Sequence, residues 1–139
     1  MPATTSRPQT VGDLLSSARG PLFSFEFYPP RSEEEEPILW RAVESLAPLE
    51  PDFVSVTYGA TGSRRDRTIH ATRRIAVEDG PLTVGHLTCV DQSKADIAEA
   101  LAAYREVGVT NILAIRGDMP GGGEWTRHPD GLANATELV

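Results

Sequence analysis

One cysteine, Cys89, stands in the 139 residues. It excludes an internal disulfide framework and fits a reducing compartment, so the cytoplasm is the expected location. Positive charge is also short: 13 Lys and Arg face 20 Asp and Glu, leaving a formal charge of −7 and a pI near 4.9. A nucleic-acid surface needs a basic face to release counterions, so nucleic acid is not an expected partner. Any anionic ligand must be met locally. No apolar run approaches the ~18 residues of a membrane span, and no membrane partner is expected. The dinucleotide fingerprint and the P-loop pattern are both missing, which leaves "GATGS" at 59–63 a weak phosphate candidate and "PGGG" at 120–123 a flexible connection or lid.

What is present has the balance of one globular domain, with 40% hydrophobic and 24% charged residues. The opening stretch "TVGDLLSSARG" reads as a short helix with Thr10 and Asp13 capping its start and Gly20 stopping it. Beyond it stand four apolar runs: "LFSFEF" at 22–27, "DFVSVTY" at 52–58, "LTVGHLT" at 82–88 and "NILAIRG" at 111–117. Their starts lie about 30 residues apart, room for one strand and one returning helix.

The segments between them support helices. "SKADIAEALAAYREVG" offers Ser93 and Asp96 as a capping box, Ile97, Leu101, Tyr104 and Val107 as a buried stripe, and Gly108 as a stop. "RSEEEEPILWRAVESLAPL" offers Ser32 and Glu35 as a capping box, yet Pro37 follows where an amide should be bonded, so the helix can also start there. Its glutamates read as a solvated helix start. A weaker helix spans roughly 66–79. Strict alternation of strand and helix implies a parallel sheet with right-handed crossovers, doubly wound or closing into a barrel. Periodicity does not choose between the two. Both gather chemistry at the carboxyl ends of the strands.

Those ends are polar. The first run delivers Glu26, Tyr28 and Pro29–Pro30; the second Thr57, Tyr58, Gly59 and Ala60; the third His86 and Thr88; the fourth Arg116, Gly117 and Asp118. Glu26 alternates with Phe23, Phe25 and Phe27, so three rings point one way and a carboxylate the other. A structural Glu26 would be paired with Arg116. A functional one would sit in a dry pocket that favours its protonated form. His86 taken alone reads as a hydrogen-bonded structural histidine. "HLTC" puts His86 and Cys89 on opposite faces of a strand, so no metal site is expected. "RGD" at 116–118 ends an apolar strand and "NAT" at 134–136 has no secretory context, so neither is read as a cell-surface motif. "SRRDR" at 63–67 is a solvated basic loop or a landing place for a negatively charged substrate tail.

Taken together, "SFEFYPPR" at 24–31, "FVSVTYGATGSRRDRT" at 53–68, "HLTC" at 86–89 and "ILAIRGDMP" at 112–120 resemble the amino-terminal half of methylenetetrahydrofolate reductase, in order and with the expected separations. The resemblance implies an α/β fold of the (β/α)8 barrel class. About its first four units would be present: residues 1–21 as an extension with a short helix, and 22–139 as the first half of the barrel, cut in its fourth helix. It also implies FAD at the carboxyl ends of the strands and NADH or NADPH as hydride donor. The substrate it implies is 5,10-methylenetetrahydrofolate, reduced to 5-methyltetrahydrofolate in one-carbon metabolism towards methionine, by a homo-oligomer when full length. Position by position, Glu26 matches the general acid. Thr57, Tyr58, Ala60, His86, Arg116, Gly117 and Asp118 match flavin contacts, and Asp118 also lies near the folate pterin. Two other readings are a non-catalytic half-barrel that binds flavin weakly or assembles with a complementary chain, and a flavin-free enzyme using Glu26 and Asp118 as an acid/base pair.

Overall fold

The computed structural model describes residues 10–59, 63–77 and 80–139. The chain alternates as expected: α1 (Val11–Ser17), β1 (Ser24–Phe27), α2 (Glu36–Leu46), β2 (Phe53–Val56), α3 (Ser63–Val77), β3 (Leu82–Thr88), α4 (Lys94–Glu106), β4 (Asn111–Ile115) and α5 (Ala135–Leu138). The four strands form one parallel sheet in the order β1-β2-β3-β4, each pairing with the next in sequence. Extra backbone bonds lengthen the ladder at its carboxyl end: Thr57 N donates to Phe27 O at 3.0 Å, and Val90 N to Arg116 O at 3.0 Å.

Register assigns the two faces. Phe27, Val56, Gly85 and Ile112 lie in one row, and Glu26, Ser55, Val84 and Asn111 in the next, on the other side. The first row meets the helices. Phe27, Val54 and Val56 pack with Leu39 of α2 and with Ala71 and Ile75 of α3. Leu87 and Cys89 pack with Ile97 and Ala100 of α4. Gly85 has no side chain because Tyr104 lies there: a Cβ would come within 2.6 Å of its Cε1. The ring is 1% exposed, and its hydroxyl donates to the His86 carbonyl at 2.9 Å.

The capping boxes expected at Thr10–Asp13 and Ser93–Asp96 both form. The one expected at Ser32–Glu35 does not: Ser32 makes no side-chain cap bond, Glu33–Glu35 turn as a 3-10 helix, and α2 begins at Glu36 with Pro37 in its first turn. Proline has no amide hydrogen to leave unpaired there, so the tight turn precedes it. Glu35 instead accepts the Arg31 amide at 2.8 Å. Helix α1 ends at Ser17, short of Gly20, on an extended Ala18. Leu101, expected in the buried stripe of α4, is 39% exposed, while Ala100 on the neighbouring position is buried. The stripe is set by Ile97, Ala100 and Tyr104, a spacing of three and four that leaves Leu101 at its margin. The helix expected over 66–79 begins earlier, at Ser63, and runs to Val77; residues 78 and 79 lie outside the described residues.

Candidate functional site

The side chains singled out at the strand ends come from four consecutive elements, which the parallel sheet carries to one edge. Glu26 belongs to the face away from the helices, and its carboxylate lies 3.7 Å from His86 Nε2, two strands away. At that separation the contact is electrostatic, and His86 Nε2 has no hydrogen-bond partner although it is buried. Burial pushes the His86 pKa down, and the Glu26 carboxylate opposes that shift without cancelling it. The ring is therefore held neutral, since desolvation penalises the imidazolium more than the nearby carboxylate rewards it. Glu26 itself is half-exposed.

Glu26 does not pair with Arg116. Arg116 reaches Asp118 at 3.8 Å and lies 5.3 Å over the ring of Trp125. The physical reason is register: Glu26 is on β1 and Arg116 follows β4, at opposite edges of the sheet. The neighbouring Trp125 and Asp118 satisfy the guanidinium at shorter range. Asp118 is almost fully exposed.

Gly117 has φ +82, which only glycine adopts without strain, and a Cβ there would lie 2.6 Å from Val90 Cγ1 and 2.9 Å from Thr88 Cβ. The loop after β4 can press against the end of β3 only because that side chain is missing. Beside it, the buried hydroxyl of Thr88 has no partner. Two orphaned polar atoms, on His86 and Thr88, therefore stand at alternate positions of β3, on the face that carries Glu26. A buried polar group without a partner is costly, and a bound group with its own donors and acceptors would relieve the cost.

Tyr58 lies at the end of β2, where its hydroxyl donates to Gln92 Oε1 at 3.1 Å; Gln92 Nε2 in turn donates to Thr88 O at 2.6 Å. Burial pushes the Tyr58 phenol up to about 12, with Asp96 adding to that and Arg65 opposing it. It is a fixed donor at neutral pH. Gln92 is 2% exposed and joins the ends of β2 and β3, yet no periodic pattern singles it out in "CVDQSK", so reading the sequence missed it. Thr57 continues the β1–β2 ladder through its amide. Ala60 lies outside the described residues. Among the described residues no group of three or more His, Cys, Asp or Glu is placed to hold a metal ion. Cys89 is buried, which pushes its thiol pKa up, so it is not a ready thiolate.

A parallel α/β sheet with polar side chains collected at its carboxyl edge defines a protein of the class that binds its ligands outside the strand ends. The chain belongs to the methylenetetrahydrofolate reductase family, whose model it matches over residues 11–139. It is 44% identical over 113 residues to a 5,10-methylenetetrahydrofolate reductase of Pectobacterium carotovorum, covering 81% of this chain and 38% of that protein. It is 38% identical over 118 residues to the enzyme of that name from Escherichia coli, covering 84% and 40%. A methylenetetrahydrofolate reductase (NADH) of Arabidopsis thaliana is 36% identical over 118 residues, 84% of this chain and 20% of the relative. The chain thus spans about two fifths of the length of the bacterial relatives it matches.

Proposed function

We propose that this chain forms the amino-terminal part of an NAD(P)H-dependent, FAD-containing reductase that converts 5,10-methylenetetrahydrofolate to 5-methyltetrahydrofolate. Family membership and the names of the relatives support the reaction. The observation that carries the site is the Glu26 carboxylate 3.7 Å from a buried His86 whose Nε2 is unpartnered. In this reading residues 22–139 are the first four units of an eight-unit barrel, residues 1–21 are an extension, and the complete protein is a cytoplasmic homo-oligomer.

FAD fits the residues present. Orphaned polar atoms on His86 and Thr88 lie on the sheet face that carries Glu26, and a bound group with donors and acceptors of its own would partner them. When bound, FAD supplies the hydride relay between nicotinamide and folate. The protein's share is orientation and proton handling. Glu26 holds a proton for the imidazolidine nitrogen that leaves as the folate ring opens to an iminium, with closure of the barrel excluding water from the carboxyl. His86, whose pKa burial pushes down, stands beside the carboxyl without placing a full cation against it. On the family pattern Thr57, Tyr58, His86, Arg116 and Gly117 would take the flavin contacts. Asp118 puts negative charge beside flavin and folate, which favours hydride donation.

A second reading, a half-barrel that assembles with a complementary chain, is favoured by the exposure of Leu113 and Ile115 on the face away from the helices.

The test is Glu26→Gln in the protein carrying the complete barrel. Folate reduction should fall by about 10²–10⁴-fold, the usual worth of a positioned acid, while NADH still bleaches the bound flavin anaerobically. Equal loss in both half-reactions would remove Glu26 from the acid role. A colourless protein that takes up no FAD would remove the flavin reading.

A further inference from the structure

Between the loops that leave β1 and β2 lies a cavity of about 380 Å³, lined by residues 28–31, residues 57–59 and Arg64. Two guanidiniums border it, from Arg31 at the end of the "YPPR" loop and from Arg64 in the first turn of α3. Both are exposed, and among the described residues neither guanidinium forms an ion pair, although the Glu35 carboxylate accepts the Arg31 backbone amide at 2.8 Å. The neighbouring arginines are already engaged. Arg65 pairs with Glu99 at 3.5 Å, and Arg67 donates to the carbonyl of Arg31.

Three observations argue that this place is built. Arg64, Arg65 and Arg67 all stand at the start of a 15-residue helix, where the aligned peptide dipoles disfavour cations, so local helix stability does not explain them. The backbone beneath the cavity is pinned by Thr68, fully buried, whose hydroxyl accepts from Gly59 N at 3.2 Å and lies within donating distance of Arg64 O at 3.1 Å and Thr57 O at 3.3 Å. Finally, a Cβ at Gly59 would lie 2.6 Å from Arg64 Cβ, so the absence of a side chain at 59 lets α3 begin against the end of β2 and carry Arg64 to the opening. In a chain of net charge −7, two guanidiniums that form no ion pair among the described residues meet at one opening.

We propose that this cavity is an oxyanion subsite in which Arg31 and Arg64 hold the anionic tail of the substrate whose reacting ring lies at Glu26. The proposal rests on the function given above. Glu26 and Arg31 border one cavity and Arg31 and Arg64 the next, so Arg31 stands between the carboxylate and the proposed subsite. Planar guanidiniums match oxyanions through paired N–H donors, whether these are the carboxylates of a γ-glutamyl tail on the folate or the phosphates of the nicotinamide dinucleotide.

The experiment has two arms. In the first, the 139-residue chain is titrated at low salt with γ-linked triglutamate and, separately, with inorganic pyrophosphate, following the amide resonances of Thr57, Tyr58 and Gly59. Binding should weaken about tenfold in Arg31→Gln and in Arg64→Gln, the scale of one lost charge-assisted bond. It should persist in Arg105→Gln, which makes the same charge change on exposed α4. Triglutamate binding identifies the folate tail, and pyrophosphate binding alone identifies the dinucleotide. No site-specific shift with either probe, or equal weakening by Arg105→Gln, overturns the proposal. In the second arm, in the complete reductase, the KM advantage of triglutamyl over monoglutamyl methylenetetrahydrofolate should shrink about tenfold in Arg64→Gln. An unchanged ratio, with the KM for the dinucleotide also unchanged, overturns the subsite while leaving the reductase standing. Probe binding in a complete protein that reduces no folate overturns the reductase reading instead.

Discussion

The two faces of the sheet are made from the same four strands and treat their side chains in opposite ways. On the helix-covered face, Phe27, Val54, Val56 and Leu87 are buried among α2, α3 and α4; the Tyr104 hydroxyl finds the His86 carbonyl, and the Trp40 indole N–H beside the Phe27 cluster is the polar group left unpartnered there. On the second face, His86 Nε2 and Thr88 Oγ1 are buried without partners, Glu26 is half-exposed, and Leu113 is 47% exposed. The strand side chains of one face are apolar and covered by the chain's own helices, while those of the other include buried polar atoms that no described residue partners. A sheet that completes its core on one side and leaves unmet polar groups on the other has separated stability from binding, and substitutions on the two sides should report different things.

The sharpest way to break that contrast is at Gly85. Gly85→Ala drives a methyl to within 2.6 Å of the Tyr104 ring, which must shift and lose its bond to His86. Overpacking of this kind costs about 2–3 kcal/mol, read as a lowered urea midpoint. A variant as stable as wild type would show that the helix-covered face is loosely packed. A smaller effect should appear with pH. Because the His86 pKa is pushed down in the folded chain, the unfolded chain binds more protons below the ordinary histidine value of about 6.5. Stability should therefore fall as pH drops through that value and level off once the folded ring also titrates. His86→Gln should flatten the slope, separating it from whatever His70 and His128 contribute. An unaltered slope in the variant would remove burial of His86 as its source. The smallest effect is expected at Leu113→Ser, within about 0.5 kcal/mol, because the side chain is already half in water. A cost several times larger would mean that something covers the second face in solution.

The sequence made the helix-covered face legible and left much of the second face hidden, for a physical reason. Alternating Phe27, Val54, Val56 and Leu87, together with the capping pairs Thr10–Asp13 and Ser93–Asp96, are local patterns that burial and backbone bonding enforce. The failures were also local competitions. Pro37 replaced the Ser32 cap with a 3-10 turn, and Ala100 took the buried position expected for Leu101. The candidate site depends on neighbours distant in sequence. Nothing in "FSFEF" says that Glu26 meets His86 rather than Arg116; only the strand order does. Gln92, which bridges Tyr58 and Thr88, occupies a turn with no periodicity to mark it. The motifs that placed the chain in its family carried those long-range facts in compressed form.

One bond has consequences for synthesis. The amide of Val11 donates to Asn111 Oδ1 at 2.9 Å, so the opening helix is latched to a strand that lies 100 residues further along. On the ribosome the units β1 to β3 can each settle against their predecessor as they emerge, but this bond cannot form until Asn111 has left the exit tunnel. A nascent chain halted before Asn111 would carry that helix without this latch.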